Sequence, residues 1–290
     1  MAQISSVRKR RKVRNLTRRG LSFLFLVALG LVFIYPLLFL ISASFKSNAE
    51  LMTSMNLIPH EVSFSNYVDG WMGVGEYHFG TFLWNSIVLV VPMVIFTILS
   101  SSIVGYGFAR FRFKGHGFLF GLMLSTLMLP NAVLIIPKYI MFNNLGWLDS
   151  YKVFYIPALF GCYPFFIFAM VQFVRGIPKS IDESAFIDGC STFRIFTHII
   201  LPLSKPVLFS IGIFQFIWVW NDYFNPLIYI NSVKKYTVMQ GLRMSMDSSS
   251  GISWGPIMAL SLVSILPCVL VFFLAQRYFV EGVATTGLKG

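Results

Sequence analysis

The 290-residue sequence carries a formal net charge of +12, yet only 12% of its residues are charged and 56% are hydrophobic. Together with a mean hydropathy of +0.73, this composition excludes an ordinary soluble domain and indicates a chain whose solvent is lipid. Because a bilayer core about 30 Å thick requires roughly 20 apolar helical residues, we expect its membrane-crossing elements to be charge-free runs of that length.

Six apolar runs follow one another along the chain and predict an all-α polytopic membrane protein with six transmembrane helices. All are free of charge except the fifth, which carries Asp222 near its outer end. An even number of spans places both termini on the same side of the membrane. The predicted spans are residues 21–45, 79–109, 117–137, 153–174, 205–234 and 248–276.

Basic residues indicate the orientation, because Lys and Arg beside a span are retained in the cytoplasm. Segments on the same side as the N-terminus hold 17 of the 23 Lys and Arg residues, so we predict that both termini are cytoplasmic. The domains are then a basic N-terminus (1–20), a six-helix transmembrane domain (21–276) and a cytoplasmic tail (277–290). The basic run therefore predicts residence in the cytoplasmic membrane, with lipid and not nucleic acid as its partner.

Two of the outer loops, on the other side of the membrane, differ in composition. The first, residues 46–80, is acidic and long enough to carry structure of its own. It either contacts an external partner or is a solvated connector. The second, roughly residues 232–251, is rich in Ser, Lys and Met and shows no pattern typical of a chemical site.

Several predicted spans contain proline, which removes a backbone hydrogen bond and permits a kink. Kinked helices suit a wall that opens, but proline is also commoner in membrane helices in general. Such prolines include Pro36, Pro92, Pro130, Pro164 and Pro267.

The predicted cytoplasmic loop between spans four and five, residues 175–205, has mixed polarity. Ser180 is expected to cap a short helix, with Glu183 three residues later as in a capping box. That helix is expected to run to about Asp188, since Gly189 can adopt the positive φ that ends a helix.

A second helical pattern begins at Ser191 and runs towards Pro202, which makes the loop a compact helix, turn and helix. On the first helix, Ala185 is small enough to let another surface approach, and Phe186 supplies an apolar contact. This pattern indicates either a docking surface or an amphipathic linker that rests on the membrane.

The same loop resembles the signature of ABC importer permeases. That signature starts with Glu-Ala-Ala, continues with a Gly four residues after the second small residue, and ends with Ile-x-Leu-Pro. Ser184 is the one departure, because the family has Ala there. The matching residues are Glu183, Ala185, Gly189, Ile199, Leu201 and Pro202.

Further segments are similar to the second permease subunit of the maltose-type, carbohydrate-importing branch of that family. Together with the loop they extend the resemblance along most of the chain. They are residues 34–36, 84–86, 109–114, 220–222 and 276–280, followed by a Gly-Leu-Lys-Gly end.

The resemblance implies an ABC importer type I permease fold and an ATP-driven importer that moves a sugar or oligosaccharide into the cytoplasm. Its implied partners are a second permease subunit, a cytoplasmic ATPase dimer and an external solute-binding protein. ATP and Mg are expected to bind to the ATPase. This chain lacks the nucleotide-binding motif G-x-x-x-x-G-K-[ST], and we expect it to hold no cofactor, no metal and no catalytic residue. The ATPase-coupling residues it implies are Glu183, Ser184, Ala185, Gly189, Ile199, Leu201 and Pro202.

The fifth span carries a polar stripe that is a candidate substrate pathway. Gln215, Trp218, Asp222 and Asn225 are spaced three, four and three residues apart, which predicts one helical face, and Asn221 adjoins it. Asn and Asp can bind sugar hydroxyls, and a Trp ring can stack on a sugar. The alternative is contact with a partner permease, with a local hydrogen bond at the carbonyl that Pro226 frees.

Two other functions fit the pattern less well. An ion-coupled secondary transporter needs titratable groups along its path, but Asp222 is the one acid within a predicted span. An intramembrane enzyme needs a nucleophile with a base, or a metal cluster. The sequence contains neither H-E-x-x-H nor G-x-S-x-G, and its four histidines are scattered.

Overall fold

The computed structural model describes the backbone of residues 2–73, 76–246 and 253–287, and the side chains of residues 19–73, 76–246 and 253–276. The predicted roles of the basic N-terminus and of the tail 277–290 lie outside the described side chains. The chain divides into two compact units, Met1–Gly70 with Gly251–Leu262, and Trp71–Ser250 with Val263–Gly290.

The first unit contains three helices and the start of a fourth. Side chains 21–38 of its long first helix are exposed, as expected for a helix that faces lipid or another subunit. The first outer loop has structure of its own, because the Asn66 amide donates to the carbonyls of Ser44 and Lys46 over 3.0 and 2.8 Å. The helices are α1 (Ala2–Ala43), α2 (Asn48–Thr53), α3 (Ser65–Met72) and α15 (Trp254–Gly287).

The second unit is built around one long helix, α4 (Phe79–Arg110). It packs against four other helices, which are α7 (Lys152–Leu159), α8 (Pro164–Gly176), α12 (Lys205–Trp220) and α14 (Val238–Met246). The remaining helices are α5 (His116–Thr126), α6 (Asn131–Asn144), α9 (Lys179–Ile187), α10 (Thr192–Ile195), a π-helical turn (Phe196–Ile200), α11 (Leu201–Leu203), α13 (Phe224–Tyr229) and a 3-10 turn (Val233–Lys235).

The described residues contain four helical segments that are long and apolar enough to cross a membrane, and two bent pairs that pass the same test. Counting each bent pair as one span gives the six predicted. The pair α5 and α6 bends by 103° and the pair Thr192–Leu203 and α12 by 73°. The predicted fifth span, 205–234, was wrong in its bounds, because the helix ends at Trp220 and its apolar length is completed by residues before Lys205.

Among the prolines singled out from the sequence, two stand at breaks in the helix and three leave it continuous. Pro130 precedes α6, and Pro164 is the first residue of α8, where its missing N–H has no helical acceptor to lose. Gly161, with φ of +72°, completes the break between α7 and α8. The continuous positions are Pro36, Pro92 and Pro267.

The hydroxyl-bearing face of α4 allows close packing against α7 and α8. Ser100 Oγ donates to the Ala158 carbonyl over 2.7 Å, and Ser101 Oγ to the Thr97 carbonyl in its own helix. A Cβ on Gly105 would stand 2.7 Å from Met170 Cβ, so the two backbones meet there with no room for a side chain. Small residues therefore set the helix separation, as is typical of membrane bundles.

At the end of α4 lies an apolar cluster, which we call the inner core. It joins α4 to α8, α9, α10, the π-helical turn and α12, and all its members are buried. They are Tyr106, Phe166, Met170, Val174, Ala185, Ile195, Phe196, Ile200 and Ile211.

Candidate functional site

The first helix of the predicted coupling loop is α9, which starts two residues earlier than expected. Pro178 stands at its N-cap position, and no side chain caps the helix. The predicted capping box of Ser180 and Glu183 was wrong. Proline's fixed φ already directs the chain into the helix, so Ser180 falls inside the first turn instead of at the cap.

The end of α9 has the predicted glycine turn. Gly189 has φ of +80°, its N–H donates to the Phe186 carbonyl, and the Cys190 N–H donates to the Ala185 carbonyl over 2.9 Å. These two bonds are those of a Schellman motif, which pairs the last carbonyls of the helix. The turn then leads the chain into α10.

The two faces of α9 differ in exposure. Ala185 is 6% exposed and packs in the inner core, so this small residue allows the chain's own core to approach and is not open to a partner. The predicted use of Ala185 as a close-approach point for another surface was therefore wrong. The opposite face exposes Glu183, Ser184, Phe186 and Ile187.

The second half of the loop begins as predicted, because Ser191 Oγ caps α10 by accepting from the Arg194 N–H. Ile199 and Leu201 are partly buried against the inner core, while Pro202 is exposed. Between α10 and α11 the backbone makes a π-helical turn, after which the Leu201 N–H donates to the Phe196 carbonyl. Ile199 and Leu201 therefore attach the loop to the helix bundle.

A buried ion pair that the sequence did not reveal joins α9 to α4. Arg110 Nε lies 2.5 Å from Asp182 Oδ2, and the two side chains are only 6% and 12% exposed. Arg110 also donates from its terminal nitrogen to the Ile177 carbonyl over 3.0 Å. The one hint in the sequence is an acid in the first turn of a helix, a position that the helix dipole favours, but nothing there identifies its partner.

The candidate pathway residues do not share one face, because α12 ends before the last three. Gln215 is 1% exposed, so it is packed inside the chain and does not line a surface. Trp218 is half-exposed, and its ring packs on Phe165 and Phe166 at centroid distances of 5.3 and 5.1 Å.

The other three candidate pathway residues lie at the break between α12 and α13. Asp222 accepts from the Asn225 backbone and side-chain amides over 3.1 and 2.7 Å, a local turn that starts α13. Asn221 is exposed and its amide donates to the Ile217 carbonyl. The predicted continuous stripe was thus wrong, and Trp218 and Asn221 are the members of the set that expose more than a third of their surface.

A second polar cluster, which we call the outer clasp, was also missed. Its centre is Asp149, which precedes α7 and has φ of +54°. One carboxylate oxygen accepts from the N–H groups of Asn231 and Ser232 over 3.0 and 2.9 Å. The other accepts from Ser232 Oγ and from Lys235 Nζ over 2.6 and 2.8 Å. The cluster ties the segment after α6 to the segment after α13.

The sequence resembles ABC importer permeases, and its similarity to known proteins establishes its family. Residues 1–285 match the family described as binding-protein-dependent transport system inner membrane component. The chain belongs to this family. It is therefore a multi-pass membrane permease, and the prediction of a permease fold is confirmed.

Relatives of this permease cover nearly its whole length. It is 33% identical to the arabinooligosaccharides transport system permease protein AraQ of Bacillus subtilis, over 92% of this chain and 94% of that protein. It is 30% identical to the trehalose/maltose transport system permease protein MalG of Thermococcus litoralis, over 91% and 94%. These relatives are permeases and not enzymes.

Among solved structures, the permease resembles a bacterial ABC transporter involved in the import of the acidic polysaccharide alginate. The TM-score is 0.79 at 23% identity, over 89% of this chain and 95% of that chain. A second match, with a TM-score of 0.65 at 12% identity, is the bacterial alginate transporter in complex with a pentasaccharide-bound periplasmic protein. At these identities the likeness supports the fold.

Ionisation of the outer clasp leads to a prediction about pH. Burial alone raises the pKa of Asp149, but hydrogen bonds from Lys235, Ser232 and Asn231 outweigh it and hold that pKa well below its usual range. An unfolded Asp has a pKa of about 3.9, so the clasp stabilises the permease above that pH and loses its contribution as pH falls through the folded-state value.

We therefore expect Asp149→Asn to lower the melting temperature of the purified permease at neutral pH, and the difference from wild type to shrink below about pH 4. The control is Asp69→Asn, which changes an exposed carboxylate of α3. A melting temperature equal to that of wild type at neutral pH would contradict the clasp's stabilising role.

Proposed function

We propose that this permease is a membrane subunit of an ATP-driven importer that moves a sugar or oligosaccharide into the cytoplasm. The observation that carries the proposal is the exposed side of α9. There Phe186 and Ile187 are 53% and 87% exposed beside the charged Glu183, while Ala185 anchors the other side. An apolar pair beside a carboxylate on a short, firmly attached helix suits docking to a protein with a cleft and a basic group.

The sugar class rests on the relatives. Those named for a substrate transport arabinooligosaccharides, trehalose or maltose, diacetylchitobiose, and galactooligosaccharides. We infer a sugar or oligosaccharide for this chain too. The exposed pair of Trp218 and Asn221 supports such a path, since aromatic rings stack on sugars and amides bind hydroxyls.

The proposed importer contains three further kinds of subunit. A second permease subunit forms the other half of the pathway, an external solute-binding protein delivers the sugar, and a cytoplasmic ATPase dimer binds ATP and Mg. Residues Glu183 to Pro202 couple the ATPase to the membrane subunits, with Glu183 as the charged contact and Gly189 as the turn that orients α9.

The test uses vesicles that contain the co-purified complex, with uptake of labelled arabino-, malto- and galacto-oligosaccharides and ATP hydrolysis measured together. Wild type is expected to take up at least one of them only when ATP is present. Glu183→Ala is expected to reduce uptake strongly, because it removes the charged contact without disturbing a buried group. Uptake at the wild-type rate without any bound ATPase would overturn the proposal in favour of an ion-coupled transporter.

Gly189 offers a paired test of the turn. A Cβ there would meet nothing within 4 Å, so the cost of substitution lies in the positive φ alone. Gly189→Val is expected to abolish uptake because a β-branched residue strongly disfavours this conformation, whereas Gly189→Asn is expected to retain it. Equal uptake by the two variants would show that the turn does not orient α9.

A further inference from the structure

The basic segment at the end of α4, residues 109–114, has no part in the exposed surface of α9, yet the side chain of its first arginine is buried. Arg110 is the last residue of α4. Its guanidinium contacts the Ile177 carbonyl just before α9 and the Asp182 carboxylate in the first turn of α9. One side chain thus holds both the entry to α9 and its first turn.

These contacts give α9 two separate attachments to the membrane helices. The backbone at Ile177 and Pro178 links α9 directly to α8, which ends at Gly176. Arg110 links it to α4, from which it is remote in sequence. Without the ion pair, the contact between α9 and α4 would be the apolar one through the inner core, where Ala185 and Tyr106 lie in the same cluster.

The two kinds of contact respond differently when α9 moves. Apolar attraction depends on the area buried and does not select which groups face each other, so by itself it specifies the register of two helices weakly. A buried ion pair resists separation, because parting the two groups leaves an uncompensated charge away from water. The pair therefore keeps the first turn of α9 and the end of α4 in one register as either helix is displaced.

The helix at the other end of this link is the one with the widest contacts in its unit. α4 packs against α7, α8, α12 and α14. A displacement delivered to its last residue reaches all of these helices, including the break after α7 and the half-exposed Trp218 of α12.

We propose that Arg110 and Asp182 are positioning residues that transmit movement of α9 to α4, and so determine how tightly transport follows ATP hydrolysis. The inference rests on the proposed function, since it assigns residues to the coupling of the same importer. It predicts that breaking the pair leaves an assembled ATPase that turns over without moving sugar.

The experiment compares Arg110→Gln and Asp182→Asn with wild type in vesicles that contain the whole complex. Assembly, ATP hydrolysis and sugar uptake are measured on the same preparations. We expect each variant to hydrolyse ATP while uptake per ATP falls by about tenfold, within the usual range of coupling between sites. Arg112→Gln, two residues along in the same basic segment and exposed, is the matched control and is expected to keep the wild-type ratio.

If either single variant fails to assemble, the double variant Arg110→Met with Asp182→Leu decides. It leaves no unpaired buried charge, so assembly is expected to survive while uptake per ATP still falls. A wild-type ratio in an assembled Asp182→Asn or double variant would overturn the inference while leaving the importer intact. ATP-independent uptake by wild type would instead remove the proposed function itself.

Discussion

Ile187→Asp is expected to release the ATPase from the membrane subunits while leaving the permease folded. Ile187 is 87% exposed, so its side chain contributes almost nothing to the packing of its own chain. Burial of an isoleucine side chain against a partner contributes about 1.5–3 kcal/mol, which corresponds to roughly tenfold or more in affinity. Placing a carboxylate in that contact adds its desolvation cost.

Co-purification of the ATPase with tagged permease measures this effect, and Ile187→Val is the conservative control. We expect the aspartate variant to lose most of the bound ATPase and the valine variant to keep it. If α9 is instead an amphipathic linker on the membrane surface, the aspartate variant will keep the ATPase. That result would remove the apolar half of the docking proposal.

Gly105→Ala is expected to destabilise the permease more than any other single methyl group added to α4. The new Cβ would stand 2.7 Å from both Met170 Cβ and Met170 Cγ and 3.4 Å from the Ile167 carbonyl oxygen. Met170 Cβ is fixed to the backbone of α8, so relief requires the two helices to separate. Overpacking of this kind typically costs about 1–3 kcal/mol.

Gly107→Ala is the matched control, because it lies in the same helix and its added Cβ would meet nothing within 4 Å. Alanine favours a helix over glycine by roughly 0.8–1.0 kcal/mol, so we expect this variant to be neutral or slightly stabilised. Thermal unfolding of the purified proteins checks both. Equal melting temperatures for the two variants would contradict the close approach of α4 and α8.

The class of fold could be predicted from the sequence because burial in lipid imposes a strong composition rule. Spans must be about 20 residues long and apolar, and basic residues must stay inside. Three of the six predicted spans agree with the structure to within two residues at each end, although the fourth is broken before Pro164. The third is broken at Pro130 and continues to Asn144, and the helix of the sixth starts at Trp254. The fifth failed because its helix stops at Trp220 and resumes at Phe224, and an apolar run does not show where a helix breaks.

Local chemistry also predicted part of the candidate site. The positive φ of Gly189 and the cap by Ser191 follow from what glycine and serine do at helix ends, so both were predicted. The start of α9 was not predicted correctly, because both Pro178 and Ser180 are residue types that favour a helix start. The helix begins after Pro178, whose fixed φ suits that position, and the hydroxyl of Ser180 does not cap it.

By itself, the sequence determined that the chain lies in a membrane, how many spans it has, where α9 ends at Gly189, and which family the chain belongs to. Each depends on composition or on residues close together along the chain. Only the tertiary structure decided that Ala185 faces inward, that Gln215 is packed away, and that Arg110 meets Asp182. These contacts join residues far apart in the chain. Which of many Arg and Asp residues pair depends on how the helices pack, which no local pattern encodes.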